Sequence, residues 1–117
     1  MISIVTVYNN KEFLNRILIP STRNQTVAYE FIPIDNTDDK FKSAAAALNY
    51  GAKQATGAYI MFVHQDVELD SPSWLETTEN ILKAIPDLGI AGVAGMSETG
   101  KNSKERGRGY ISDGGEI

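Results

Sequence analysis

The chain contains no cysteine. That excludes disulfides, thiolate metal sites and a cysteine nucleophile, and it fits a reducing compartment. No apolar run approaches the ~18 residues that a membrane-spanning helix needs. The opening segment, Met1-Ile2-Ser3-Ile4-Val5-Thr6-Val7-Tyr8, lacks the basic start and small-residue cleavage site of a signal peptide. It reads instead as a strand. Basic side chains are in deficit: 11 Lys and Arg stand against 15 Asp and Glu, a net charge of −4. Non-specific nucleic-acid binding draws on Lys and Arg, so no nucleic-acid partner is expected. An anionic ligand stays open, because a metal ion or a helix N-terminus supplies local positive potential.

What is present is one domain's worth of alternating elements. The length of 117 residues allows one domain, and a chain of this size buries roughly two-thirds of its unfolded surface. Ile2 to Tyr8 is β-branched and stops at Asn9-Asn10, a turn signal. An asparagine cap then predicts a helix from Lys11 to Ile19, with Phe13, Leu14, Ile17 and Leu18 as its stripe and Pro20 as its end. Tyr29 to Ile34 reads as a second strand, and Pro33 places it at a sheet edge or a bulge. It runs into Asp35-Asn36-Thr37-Asp38-Asp39. Phe41 to Ala55 has helical period, with Phe41, Ala45, Leu48, Ala52 and Ala55 on one face and Gly57 at the stop.

The most informative stretch follows: Ala58-Tyr59-Ile60-Met61-Phe62-Val63-His64-Gln65-Asp66-Val67-Glu68. A short apolar run bounded by a glycine and an acidic cluster reads as a buried strand. Open α/β sheets bind ligands beyond the carboxyl ends of their strands. His64, Gln65, Asp66 and Glu68 are therefore delivered to a ligand position. Ser71-Pro72 marks the next helix start, with Trp74, Leu75, Thr78, Ile81, Leu82 and Ile85 as its buried face. Leu88 to Met96 reads as a fourth strand. Ser97 to Ile117, rich in glycine and basic residues, reads as a loop or hairpin around Tyr110-Ile111. This order predicts an open, mostly parallel, doubly wound α/β sheet with helices on both faces.

Read alone, several of these residues have plain alternatives. A histidine at a strand end serves as an ordinary hydrogen-bonding group as well as a titrating one. Asp35 and Asp66 suit turns. Thr6 and Tyr8 fill a strand, and Asn49 packs on its helix. The basic run Lys101, Lys104, Arg106 and Arg108 is a solvated loop, or a contact for an anionic group.

Taken together, the motifs carry a resemblance. The Val-Thr-Val-Tyr-Asn strand, the Ile-Asp-Asn-Thr-Asp strand end, the passage Asn49-Tyr50-Gly51-Ala52-Lys53-Gln54-Ala55-Thr56-Gly57-Ala58-Tyr59-Ile60 and the Phe-Val-His-Gln-Asp end resemble family 2 glycosyltransferases of the GT-A fold, over residues 2–96. The resemblance implies transfer of a sugar from a nucleotide diphosphate sugar to a carbohydrate or lipid-linked acceptor. It implies Mg²⁺ or Mn²⁺ at the diphosphate, and a cytoplasmic location or the cytoplasmic face of a membrane. By the same resemblance, Thr6 and Tyr8 line the base pocket, Asp35 accepts a hydrogen bond from the base, and Asn49 lies near the nucleotide. His64 and Gln65 contact the donor, and Asp66 is the metal ligand.

Two departures bear on those roles. His64 stands at the first position of the family's Asp-X-Asp motif, which leaves one carboxylate where the family has two. No match to the family's catalytic base is found, since the downstream acids are Glu98, Glu105, Asp113 and Glu116. Residues 1–96 are therefore expected to form a donor-binding domain, with 97–117 leading towards a missing acceptor-binding half and little transfer by this chain alone. Two other readings compete with transfer. One is a nucleotide-binding module without catalysis. The other is a structural domain that self-associates, as a homodimer, through an exposed sheet edge.

Overall fold

The computed structural model describes residues 1–93 and 111–113, which fall into two units, Met1–Glu79 and Asn80–Ile117. The first unit is built around β1 (Ile2–Tyr8), whose residues Ile2, Ser3, Ile4, Val5 and Thr6 are all buried. A strand with no solvent face needs cover on both sides, and its β-branched run supplies apolar groups to both. β1 pairs in parallel with β2 (Tyr29–Asp35) on one side and β3 (Tyr59–Phe62) on the other. The strand order is thus β2-β1-β3. The α/β class expected from the sequence is the one observed. β2 is an edge strand and Pro33 pairs in continuous register with Thr6. Of the two explanations open for Pro33, the edge holds and no bulge is needed.

The first helical passage departs from expectation. It begins as α1 (Lys11–Phe13), with the Asn10 Oδ1 accepting from the Phe13 N–H at 3.1 Å. It then widens into a π segment (Leu14–Leu18) and continues as α2 (Ile19–Thr22). Pro20 does not end the helix. The wide turn places Pro20 in the opening turn of α2, where a missing N–H leaves no bond unmade. Leu14 and Leu18 are buried, whereas Phe13 is exposed.

α3 spans Ala44–Ala52, shorter than the expected 41–55. Ser43 caps it, its Oγ accepting from the Ala46 N–H at 3.1 Å. The buried face is Ala47 and Gly51 with Leu48 beside them, while Ala45 is exposed. The shift has a steric cause. A Cβ on Gly51 would lie 2.5 Å from Val5 Cγ1 and 3.1 Å from Ile34 Cγ1, so this is the point at which the helix backbone approaches the sheet. Val5, Ile32, Ile34 and Ala47 form the core on this face. Gly57 is not a helix stop either. A Cβ there would meet the Met1 carbonyl at 2.6 Å and Ser3 Oγ at 2.7 Å. Its role is close backbone approach to β1.

On the opposite face Ile2 and Ile4 pack with Leu69 and Leu75, flanked by Phe31, Met61 and Trp74. Leu75 belongs to α4 (Trp74–Ala84). This helix starts later than the expected Ser71-Pro72, because Gln25 intervenes. Its Oε1 accepts the Leu75 N–H at 2.9 Å and its Nε2 donates to the Ser71 carbonyl at 2.8 Å. Ile81, expected on the buried face, is exposed.

In the second unit β4 (Ala91–Val93) pairs antiparallel with β5 (Ile111–Asp113) in a two-stranded sheet. Of the fourth strand expected over 88–96, Ala91–Val93 is strand among the described residues, and its partner there is antiparallel. Positions 94–96, the basic run at Lys101 to Arg108, and the acids Glu98, Glu105 and Glu116 lie outside the described residues.

Candidate functional site

The connection from β1 to β2 leaves to one side of β1, and the one from β2 to β3 passes back across to the other. The chain therefore diverges beyond the carboxyl ends of β1 and β3, where α/β sheets open a crevice. A cleft of about 350 Å³ lies there, on the α3 face of the sheet. Val7, Phe62, Val63, His64 and Gln65 line it from the strand ends, Asn9 and Asn36 from the loops, and Ala44 and Leu48 from α3. That volume is at the lower end of the range for small-molecule sites.

The polar walls are held in place by their own bonds. Gln65 Oε1 accepts from the Asn9 N–H at 3.1 Å and the Asn10 N–H at 3.0 Å, while its Nε2 donates to Asn9 Oδ1 at 2.7 Å. Asn36 brackets Phe41, accepting from its N–H at 3.0 Å and donating to its carbonyl at 3.4 Å. The Asn36 N–H donates to the Tyr8 carbonyl at 2.9 Å. Both loops are thus tied to the strand ends. His64 and Asp66 are exposed in a turn closed by the Val67 N–H on the His64 carbonyl at 3.2 Å.

The residues singled out in the sequence do not gather in one place. His64 and Gln65 line the cleft. Tyr8 and Asp35 are register partners at the ends of β1 and β2; alternation puts Tyr8 on the face opposite Val7. The Tyr8 phenol is pushed up, first by burial and then by the Asp35 carboxylate beside it. Asp35 is held below the usual carboxylate range, mainly by the Thr37 hydroxyl at 2.7 Å and the Thr37 N–H at 2.8 Å. Thr6 is fully buried, and its Oγ1 is without a hydrogen-bond partner in the structure. Asn49 is exposed on α3, and Asp66 follows the cleft residues. Sequence reasoning missed Asn36 as a cleft residue. The signal was an asparagine just past a strand end, which brackets its own loop.

Among the described residues no three His, Asp or Glu side chains converge into a metal cage. Asp66 offers a single carboxylate, so a hard cation there would need its other oxygen ligands from elsewhere, such as a diphosphate and water. Mg²⁺ is bound in that way, by one or two carboxylates plus substrate phosphates.

A model of a glycosyltransferase-like family matches residues 3–109. The chain belongs to that family. No curated protein and no solved structure matches it. The glycosyltransferase family accounts for the resemblance carried by the strand-end motifs, and it makes the function one of the glycosyltransferase type.

Proposed function

We propose that the first unit is the donor site of the glycosyltransferase, binding a nucleotide diphosphate sugar for transfer to an acceptor hydroxyl. The observation that carries this reading is the cleft at the divergence of β1 and β3, a mostly apolar wall in which the polar Gln65, Asn9 and Asn36 are already tied down. A prearranged cleft keeps more of its binding energy for the ligand. In this reading Tyr8 and Asp35, at the ends of β1 and β2, take the nucleoside end, with Asn49 on the flanking helix and His64 at the diphosphate; Thr6, fully buried, supports the strand end beneath them and meets no ligand.

In the transfer, the acceptor oxygen forms a bond to the anomeric carbon as the bond from that carbon to the diphosphate oxygen breaks. The electron pair leaves with the diphosphate and the hydroxyl proton goes to a base. Negative charge accumulates on the leaving group, so groups near the diphosphate that favour negative charge lower the barrier. Asp66, with His64, would hold a Mg²⁺ or Mn²⁺ at the diphosphate, and such an ion supplies Lewis-acid stabilisation of the departing oxygen.

Thermal melting with UDP, GDP and CDP, each with and without Mn²⁺, tests the reading. One nucleotide is expected to raise the melting temperature, with a metal-dependent part that Asp66→Asn removes. A ligand at a hundred times its Kd stabilises by about 2.7 kcal/mol, which melting resolves readily. No shift with any of the three overturns the proposal.

A further inference from the structure

We propose that Gln65 is a positioning residue, a clasp that fixes the β1–α1 turn against the end of β3 and so sets the width of the donor cleft. The inference rests on the donor-site reading above. A side-chain amide at a cleft wall ordinarily has its donors and acceptor available to a ligand. Gln65 has spent both acceptor positions and one of its two N–H donors on the protein. Its Oε1 takes two successive backbone N–H groups, those of Asn9 and Asn10, and its Nε2 returns a bond to the Asn9 side chain. The residues joined are 55 and 56 positions apart in the chain.

The placement gives the clasp its leverage. β1 and β3 pair from Ile2↔Tyr59 as far as Val5↔Phe62, and the last bond is the Val63 N–H on the Val5 carbonyl at 3.1 Å. Beyond that point no ladder bond joins them, and the two chains separate around the cleft. Gln65 closes the separation from the far side. Asn10 is also the helix cap, its Oδ1 holding the Phe13 N–H. The same contact therefore fixes where α1 starts. Removing the clasp frees the Asn9-Asn10 backbone and leaves the strands' own pairing intact.

The experiment uses the full chain and neutral substitutions, so that charge does not act on a diphosphate directly. Amide hydrogen exchange of Asn9 and Asn10 is measured by NMR without ligand, and UDP and GDP affinity is measured by titration. Gln65→Met keeps length and removes all three bonds. It is expected to speed exchange at both amides and to weaken nucleotide binding about tenfold, the loss that 1.4 kcal/mol represents. Gln65→Glu keeps an acceptor for both N–H groups and is expected to retain their slow exchange. Asn9→Ala combined with Gln65→Met is expected to bind no more weakly than Gln65→Met alone, because the two residues act as one unit.

Unchanged exchange in Gln65→Met overturns the clasp. Freed amides with unchanged affinity overturn its role in shaping the cleft. Independent, multiplicative losses in the double variant mean that Gln65 meets the ligand directly, which also overturns the proposal. Absence of any UDP or GDP binding by the unaltered chain is a different failure: it overturns the donor-site reading, and the positioning role with it, before any variant is compared.

Discussion

Tyr8 and Asp35 are register partners across β1 and β2, and the ionised Asp35 carboxylate adds to the burial that raises the Tyr8 phenol. The Tyr8 phenol is raised above its ordinary value, so the folded state favours its protonated form. That contribution is complete below about pH 10 and is lost as pH rises through the raised value. Asp35 is lowered, so its contribution is present above the ordinary carboxylate range and lost as pH falls through the lowered value. Of the 5 tyrosines, Tyr8 is expected to ionise late in a tyrosinate absorbance titration. Tyr8→Phe should remove the late phase and Asp35→Asn should move it earlier. Persistence of the phase in Tyr8→Phe would show that it belongs elsewhere.

Acid should loosen the opposite, amino end of the same strand pair. Glu30 is held below its ordinary value, first by the Thr56 N–H at 2.8 Å and then by the Ser3 hydroxyl at 2.7 Å. Its contribution is present above about pH 4.3, the ordinary glutamate value, and disappears as pH falls through the lowered one. Glu30→Gln should therefore be less stable than the unaltered chain near neutrality. The gap should narrow on acidification below the ordinary carboxylate range. Urea unfolding across that range measures it, and a constant gap would contradict the assignment.

The approach of α3 to the sheet depends on a missing side chain. Gly51→Ala places a methyl group 2.5 Å from Val5 Cγ1, and overpacking of this kind costs about 1–3 kcal/mol. Gain in helix propensity returns up to about 1 kcal/mol. The net loss should appear in urea unfolding and should be reduced in Val5→Ala/Gly51→Ala. Equal losses with and without the Val5 change would place the strain elsewhere.

Thr6 offers a gain. Its buried Oγ1 has no partner, and an unsatisfied buried hydroxyl costs about 1–3 kcal/mol. Thr6→Val keeps the shape and removes the polar atom, so stability should rise by about 1 kcal/mol or more. A fall would mean that the hydroxyl is satisfied in solution.

Much of this was readable in the chain. Strand identity followed from the β-branched Ile2 to Tyr8 run, and Pro33 marked the edge. The cluster after β3 named two cleft residues, His64 and Gln65. What was not readable depended on distant partners. The face of α3 was set by Val5 and Ile34 closing on Gly51, not by the helix's own period. The start of α4 was set by Gln25, 50 residues away. Pro20 was a stop by local rules, and the π segment before it removed the reason to stop. Likewise, nothing in Gln65 as a letter tells a ligand contact from a bond to Asn9 and Asn10.

Ser3 gives the sheet its asymmetry. Its buried hydroxyl donates to Glu30 on β2 and accepts the Gly57 N–H at 2.8 Å on the approach to β3. One atom therefore staples three strands from within, at their amino ends. At the carboxyl ends, where the cleft lies, the fastening is a side chain at the surface. Solvent therefore competes for the fastening at the mouth of the sheet far more than for the one at its root.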